Sequence, residues 1–275
     1  MIFCESSKVL ENRLLAPAHF KLILQAPQIA PRIAPGQFVQ IRCTTGDDPL
    51  LPRPMSIYRV DGDRLEILYE VIGKGTALMA KAGKGKILEI YGPLGRPFWK
   101  VPGARQIFLI GGGIGLAPFY ALAEMFLNKA TKDRAPEITV LFGARAKGRV
   151  ICEEEFRKLG VRFEVSTDDG SCGFHGRVTE LLEKKLKGSP STPAALYACG
   201  PNVMMRETCR IALSHNLPCQ VSLDEPMACG FGICFGCAVK IKRQATSDKQ
   251  QNGEVTYKLA CKDGPVFEAR EVLWA

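Results

Sequence analysis

The sequence predicts three consecutive segments: an N-terminal antiparallel β-barrel, a doubly wound α/β domain with a parallel sheet, and a small C-terminal module. Three observations support this fold class. Short alternating strands fill the first hundred residues, continuous apolar strands then alternate with helical stretches, and cysteine and glycine dominate after residue 218. We therefore place the segments at residues 1–101, 102–217 and 218–275.

In the first segment, polar and apolar residues alternate at 19–24, 37–41 and 64–69. A period of two is typical of strands with one buried face. Turn residues separate these strands, for example the Asp-Gly-Asp sequence at 61–63. Many short strands with frequent turns favour a small closed barrel.

In the second segment, continuous apolar runs lie at 107–110, 138–142 and 195–198, and a helical stretch at 117–127 follows the first run. Strands that are apolar on both faces are typical of parallel sheets covered by helices. The alternation of strand and helix therefore predicts a doubly wound sheet.

The composition is that of a globular protein: 275 residues, 46% hydrophobic, 24% charged, with a formal net charge of +9. The basic residues are scattered and form no stripe interleaved with aromatic residues, so we do not expect nucleic-acid binding. No apolar run reaches the roughly 18 residues of a membrane span, and the N-terminus lacks an export signal. We predict a cytoplasmic protein without a membrane partner.

Eleven cysteines in such a chain indicate thiols and metal in a reducing compartment rather than disulfides. Four of them follow the spacing C-x4-C-x2-C…C, the plant-type pattern of a 2Fe–2S cluster: Cys229, Cys234, Cys237 and Cys261. Glycines between them let the backbone wrap closely around an inorganic core. A zinc site is the alternative, although zinc cysteines usually come as two separate short pairs. Of the remaining seven, we expect six to be small buried or half-buried residues: Cys4, Cys43, Cys152, Cys172, Cys209 and Cys219.

A glycine loop follows the first parallel strand, with glycines at Gly111, Gly112, Gly113 and Gly115. Backbone N–H groups at such a loop suit a pyrophosphate, although the pattern departs from G-x-G-x-x-G and a tight structural turn is the alternative. Two other strand ends carry Asp168 and the pair Gly200 and Pro201. Because the ends of parallel strands meet at one edge, we predict one dinucleotide across all three. Asp168 suits a ribose hydroxyl and favours NADH over NADPH, unless it belongs only to an acidic turn.

The first segment carries a second group of candidates. Residues 51–57 (LPRPMSI) place the cation Arg53 close to the hydroxyl of Ser56, which suits a flavin phosphate and a flavin ring respectively. An arginine between prolines is also common on an ordinary surface. Gly75 and Thr76 lie in a glycine-rich turn that offers a second anion site.

Taken in order, five motifs of the chain resemble the ferredoxin–NADP reductase superfamily: 53–56 (RPMS), 73–76 (GKGT), 92–95 (GPLG), the glycine loop and 199–201 (CGP). The segment from Cys229 to Cys237 is called the cysteine loop. Together with this loop, the stretches 224–230 (DEPMACG) and 261–265 (CKDGP) make the whole chain similar to the electron transfer subunits of type B dihydroorotate dehydrogenase. One departure is Met55, which stands where the superfamily often has an aromatic residue against the flavin.

This resemblance implies a FAD site made by two motifs and one strand segment: Arg53, Pro54, Met55, Ser56, Leu68, Tyr69, Glu70, Gly75 and Thr76. It implies a relay in which NADH reduces FAD, and the 2Fe–2S cluster on the four cysteines exchanges electrons with a partner subunit. That partner holds FMN and oxidises dihydroorotate to orotate, in a heterotetramer of two plus two. Cys199 matches a superfamily cysteine near the nicotinamide and is the one catalytic candidate, with a buried strand-end thiol as the alternative.

Phe231, Ile233 and Phe235 lie between the glycines and cysteines of the cysteine loop, which predicts an apolar surface shared with a partner. No histidine–carboxylate or nucleophile–base constellation is visible in the sequence, which fits a protein whose cofactors carry the chemistry. Two other functions stay open: a reductase subunit of another redox complex, of hydrogenase or sulfide type, and an NADH or redox sensor without turnover.

Overall fold

The computed structural model describes residues 1–128, 135–187, 193–242 and 255–274. These ranges form a closed six-stranded barrel, a seven-stranded sheet and a two-stranded ribbon. The predicted fold class is confirmed. Across these ranges, no helix has the length and apolar character needed to cross a lipid bilayer.

The barrel has the strand order β1-β2-β5-β4-β3-β6. Its elements are β1 (Phe3–Ala16), β2 (His19–Gln25), β3 (Phe38–Arg42), β4 (Arg53–Asp61), β5 (Arg64–Glu70), α1 (Lys74–Ala80) and β6 (Ile87–Leu94). The three strands predicted from alternation are β2, β3 and β5. Leu22, Leu24 and Ile67 are among the apolar side chains that they bury in the barrel core.

The seven-stranded sheet has the order β10-β9-β8-β7-β11-β12-β15. Its strands are β7 (Gln106–Gly112), β8 (Glu137–Ala144), β9 (Arg162–Thr167), β10 (Phe174–His175), β11 (Ala194–Cys199), β12 (Cys219–Ser222) and β15 (Val266–Glu268). All neighbouring pairs are parallel except β12 with β15. The chain moves outward from β7 to β10 and then returns to β11 on the other side of β7. This reversal opens a crevice at the ends of β7 and β11, where open sheets bind ligands.

Helices cover both faces of this sheet: α2 (Phe119–Asn128), α3 (Glu153–Lys158), α4 (Val178–Lys187) and α5 (Asn202–Ser214). Phe108 and Ile110 of β7 pack in one apolar cluster with residues of α4 and α5. Ile107 and Leu109 pack in another with residues of α2 and α3. The continuous apolar run of β7 is thus buried on both sides, as the sequence predicts.

The C-terminal segment contains the antiparallel ribbon of β13 (Ala238–Lys242) and β14 (Val255–Leu259). The hairpin tip that the sequence suggests at 243–253 lies outside the described residues. β12 and β15 also belong to this segment and extend the seven-stranded sheet. The boundary between residues 217 and 218 stays a prediction.

Of the six cysteines expected to be buried or half-buried, five are so, but Cys4 is exposed. That expectation is wrong because β1 alternates between its two faces. Glu5 and Ser7 point to its buried face, which leaves Cys4 on the outer one.

The barrel contacts the α/β segment through a buried lysine. The Lys21 side chain is 3% exposed, and its Nζ lies 2.5 Å from Glu155 Oε2 and 3.4 Å from Glu66 Oε2. The hydroxyl of Tyr58 donates a hydrogen bond of 2.8 Å to the same Glu155 oxygen. Since Lys21, Tyr58 and Glu66 belong to barrel strands and Glu155 to α3, these contacts hold the sheet against the barrel.

Candidate functional site

A cavity of about 970 Å³ lies where the three segments meet. Predicted site residues from the first two segments line it: Pro54, Met55, Ser56, Leu68, Tyr69, Glu70, Thr76, Gly112, Gly113, Gly115, Asp168, Cys199, Gly200 and Pro201. Met227 and Pro265 add the C-terminal segment. The volume is at the upper end of ordinary ligand pockets, and the lining is continuous from the barrel strands to the cysteine-rich module.

Arg53 and Gly75, two predicted FAD residues, lie next to each other behind this lining. Arg53 Nη1 donates to the carbonyl of Leu51 at 2.6 Å, and a Cβ at Gly75 would lie only 2.5 Å from Arg53 Nε. Only glycine therefore lets the guanidinium lie against the turn. Thr76 Oγ1 accepts the backbone N–H of Ile72 at 3.0 Å and fixes that turn. A cation beside a rigid turn is suited to a nucleotide phosphate.

The barrel wall of the cavity carries Ser56, Met55 and Tyr69. The Tyr69 ring stacks on Phe20 at a centroid distance of 5.5 Å, and its hydroxyl donates to Asn12 Oδ1 at 3.0 Å. Burial raises the pKa of Tyr69 to about 12, so the hydroxyl stays protonated. These contacts hold the wall in one arrangement for a planar ring.

The glycine loop contacts the end of β11, so two of the predicted strand ends meet. A Cβ at Gly115 would lie 2.2 Å from the carbonyl oxygen of Cys199, and a Cβ at Gly112 would lie 2.8 Å from Pro201 Cδ. Gly111 packs against Leu116 inside the sheet and does not line the cavity. The loop is therefore shaped by close approach of the backbone, as a pyrophosphate site requires.

Cys199 faces the cavity at the end of β11 beside Ser222 and Asp224. Burial raises the pKa of its thiol to about 12; the Asp224 carboxylate adds to the shift and a hydrogen bond with Ser222 opposes it. Cys199 is thus a neutral thiol at neutral pH. It can pack against a nicotinamide ring, but it is no base or thiolate nucleophile.

Four arginines that the sequence did not single out line the same cavity as Asp168: Arg145, Arg149, Arg177 and Arg206. Arg149 Nη1 also forms an ion pair with Glu70 Oε1 at 3.2 Å. A signal was present, since Arg145 directly follows β8 at the same edge as Asp168. The cations suit the phosphates of a dinucleotide, and they weaken the argument from Asp168 for NADH over NADPH.

The four cysteines of the C-x4-C-x2-C…C pattern are arranged as two pairs. The Cys234 thiol donates a hydrogen bond to Cys229 Sγ, and the Cys261 thiol donates one to Cys237 Sγ. Within the described ranges, no three His, Cys, Asp or Glu side chains form a group that could hold a metal ion. Two thiol pairs at this spacing fit the plant-type pattern of a 2Fe–2S cluster.

Backbone N–H groups of the loop point at these sulfurs. The N–H of Phe231 donates to Cys229 Sγ at 3.4 Å, and that of Cys261 donates to Cys237 Sγ at 3.4 Å. Burial opposes ionisation of Cys229, but the N–H groups of Cys234, Phe231 and Ile233 lower its pKa to about 6. Donors that stabilise a thiolate also stabilise a thiolate bound to iron, so the loop fits the cluster.

The outer side of the same loop is apolar. Ile233 is 76% exposed and Phe235 68%, whereas Phe231 is 37% exposed and packs edge-on against Tyr91 at 6.1 Å. Large exposed apolar side chains beside a cluster site are typical of a protein contact.

Comparison with known proteins gives matches over the whole chain. Residues 224–273 match the iron–sulfur cluster binding domain of dihydroorotate dehydrogenase B, and residues 109–210 match the oxidoreductase NAD-binding domain. Two relatives named dihydroorotate dehydrogenase B (NAD(+)), electron transfer subunit, are each 37% identical. The one from Desulforamulus reducens aligns over 98% of this chain and 97% of its own length, and the one from Bacillus caldolyticus over 99% and 100%.

Solved structures agree with this result. The structure of an NADH-dependent reduced ferredoxin-NADP oxidoreductase has a TM-score of 0.81 and 29% identity, over 98% of this chain and 90% of its own. A ferredoxin NADP+ reductase from Neisseria gonorrhoeae, at 20% identity, shares the fold with a TM-score of 0.64 over 77% of this chain and 91% of its own. The motifs, the paired cysteines and the full-length relatives together show that the chain belongs to the family of dihydroorotate dehydrogenase B electron transfer subunits.

Proposed function

We propose that this chain passes electrons between NAD(H) and a dihydroorotate dehydrogenase catalytic subunit that holds FMN, as part of pyrimidine biosynthesis. One observation carries the proposal. A single cavity of about 970 Å³ runs from the barrel motifs through the glycine loop to residues of the cysteine module. This cavity supports one continuous path from the proposed flavin and nicotinamide sites to the segment that carries the cluster cysteines.

When bound, NAD(H) and FAD supply hydride transfer and the 2Fe–2S cluster supplies one-electron transfer. On the barrel side, Arg53 and the turn at Gly75 bind the FAD phosphates, and Ser56 orients the flavin ring. On the sheet side, Gly112 and Gly115 let the backbone approach the NAD pyrophosphate. Asp168 and the neighbouring arginines bind the ribose and phosphates, and the neutral Cys199 thiol packs at the nicotinamide and excludes water.

Cys229, Cys234, Cys237 and Cys261 would hold the cluster. Backbone N–H···S contacts to Cys229 and Cys237 compensate part of the thiolate charge. Phe235 and Ile233 then form the contact surface for the catalytic subunit, so that electrons leave the chain where it is apolar and exposed.

For the assembly we propose two copies of this chain with two catalytic subunits, by resemblance to the family. The eleven cysteines are all free thiols. Free thiols in this number support the predicted cytoplasmic location, because a reducing compartment keeps them unpaired.

The test is anaerobic purification of the chain together with its catalytic subunit, followed by addition of NADH. We expect bleaching of the flavin absorbance, then the paramagnetic signal of a reduced 2Fe–2S cluster, and reduction of orotate. Cys261→Ser should keep the flavin bleaching and lose orotate reduction. A colourless protein that contains zinc, or a cluster that NADH never reduces, would contradict the proposal.

A second candidate is a reductase subunit of a ferredoxin-linked complex. It is favoured by the likeness to the NADH-dependent reduced ferredoxin-NADP oxidoreductase, and by the arginines around Asp168. The same preparation separates the two functions. Turnover with dihydroorotate supports the first, and turnover only with reduced ferredoxin and NADP supports the second.

A further inference from the structure

Gln40, a buried glutamine in β3, has no partner for its amide in the structure. Its side chain is fully buried, and neither Nε2 nor Oε1 has a hydrogen-bond partner among the described residues. Buried amides are nearly always hydrogen-bonded, because water is lost on burial and nothing else replaces it. An orphaned amide at 0% exposure therefore indicates a group that the described residues do not supply.

The surroundings of Gln40 show where that group lies. A Cβ at Gly230 would lie 2.7 Å from Gln40 Nε2 and 2.8 Å from its Cγ. Gly230 follows the cluster ligand Cys229 directly and has φ +78°. Glycine is therefore needed here both for the backbone angle and for the approach of the amide. Gln40 thus lies against the inner side of the cysteine loop.

Two further contacts place β3 between the flavin motif at residues 53–56 and the cysteine loop. Gln40 pairs with Pro54 of β4 on one side and with Tyr91 of β6 on the other, and the Tyr91 ring packs against Phe231 of the loop. Gln40 itself does not line the large cavity, whereas Phe38 on the same strand does. The Gln40 amide is therefore directed at the cysteine loop and not at the flavin site.

We propose that Gln40 donates an N–H···S hydrogen bond from Nε2 to a sulfur of the 2Fe–2S cluster or of its ligand Cys229. This inference rests on the proposed function, since it needs the cluster. Inorganic sulfide and thiolate sulfur are acceptors, and a carboxamide N–H is a donor that adds no charge. The bond stabilises the reduced cluster, which carries the extra negative charge, more than the oxidised one. Gln40 is thus a positioning residue that raises the cluster potential.

The first test is Gln40→Leu in the assembled complex, which keeps the size of the side chain and removes both donors. We expect the cluster to assemble and its midpoint potential to fall. A threefold loss in the equilibrium constant for electron uptake corresponds to about 28 mV, at 59 mV per tenfold for one electron. If Gln40→Leu does not fold, Gln40→Met serves as the second variant, because methionine is similar in length, carries no charge and has no N–H donor.

The matched control is Gln220→Leu. Gln220 is also a buried glutamine, but its amide is satisfied inside the protein: Nε2 donates to the Trp99 carbonyl at 2.8 Å, and Oε1 accepts the Trp99 N–H at 3.1 Å. This change should lower stability and leave the cluster potential alone. Gln40→Leu should lower the potential with little loss of stability in the cluster-free protein.

A direct readout uses protein labelled with ¹⁵N at the glutamine side chains. Pulsed paramagnetic resonance of the reduced cluster should show a ¹⁵N coupling that Gln40→Leu removes and Gln220→Leu keeps. If the potential and this coupling are both unchanged in Gln40→Leu while the cluster is present, the Gln40 proposal is wrong and the electron-transfer function still stands. If the wild-type protein forms no cluster, both fail.

Discussion

Replacing Lys21 by methionine tests how the barrel holds the α/β segment. Lys21 Nζ lies 2.5 Å from Glu155 and 3.4 Å from Glu66, and the lysine side chain is 3% exposed. Removing one partner of a buried ion pair costs about 3–5 kcal/mol. Glu155 is 32% exposed and regains water after the change, and methionine keeps the packing of the lysine stem. We therefore expect the free energy of unfolding to fall by about 2–3 kcal/mol.

The assay is urea unfolding of the FAD-loaded protein, followed by tryptophan fluorescence and flavin release. Lys8→Met is the matched control, because Lys8 is an exposed lysine on the neighbouring strand β1; we expect a change within about 0.5 kcal/mol there. A double-mutant cycle with Glu155→Gln should show a coupling of at least about 1 kcal/mol. Equal unfolding curves for Lys21→Met and Lys8→Met, or strict additivity in the cycle, would refute the reasoning.

Three other predictions concern the sheet and the cysteine loop. Gly115→Ala puts a methyl group 2.2 Å from the Cys199 carbonyl oxygen. The rate of flavin reduction by NADH, measured by stopped flow, should therefore fall at least tenfold while FAD stays bound. In the control Gly148→Ala the new methyl group meets nothing within 4 Å, and the rate should not change. Burial raises the pKa of Cys199 to about 12 from 9.0, so the folded protein keeps a proton that the unfolded chain releases. The free energy of unfolding therefore falls as the pH rises from 9 toward 12. Cys199→Ala should make this fall with pH less steep in urea unfolding. Equal pH dependence in the two proteins would contradict the prediction. The double variant Ile233→Ser with Phe235→Ser should bind the catalytic subunit at least tenfold more weakly in sedimentation or pull-down. Its cluster absorbance should be unchanged. Unchanged binding would show that these side chains are not the docking surface.

Local patterns in the sequence carried a large part of this result. The alternation at 19–24 predicts a barrel strand because one face of a strand must be apolar, and the run at 107–110 predicts a strand buried on both faces for the same reason. The cluster ligands are visible because three of them share one loop, from Cys229 to Cys237. Short-range spacing is enough wherever the chemistry needs neighbours in the chain.

The remaining features depend on contacts between distant parts of the chain. Only the fold brings Arg145 and Arg206 into the cavity that Asp168 lines, and only burial keeps the Cys199 thiol neutral; neither effect leaves a mark in local spacing. Gln40 is an unremarkable residue of an alternating strand until the third segment folds over it and removes its water. The sequence by itself determined which groups the protein can hold, because most of their residues fall in short local motifs. The tertiary structure decided their surroundings, because burial and charge depend on residues far away in sequence.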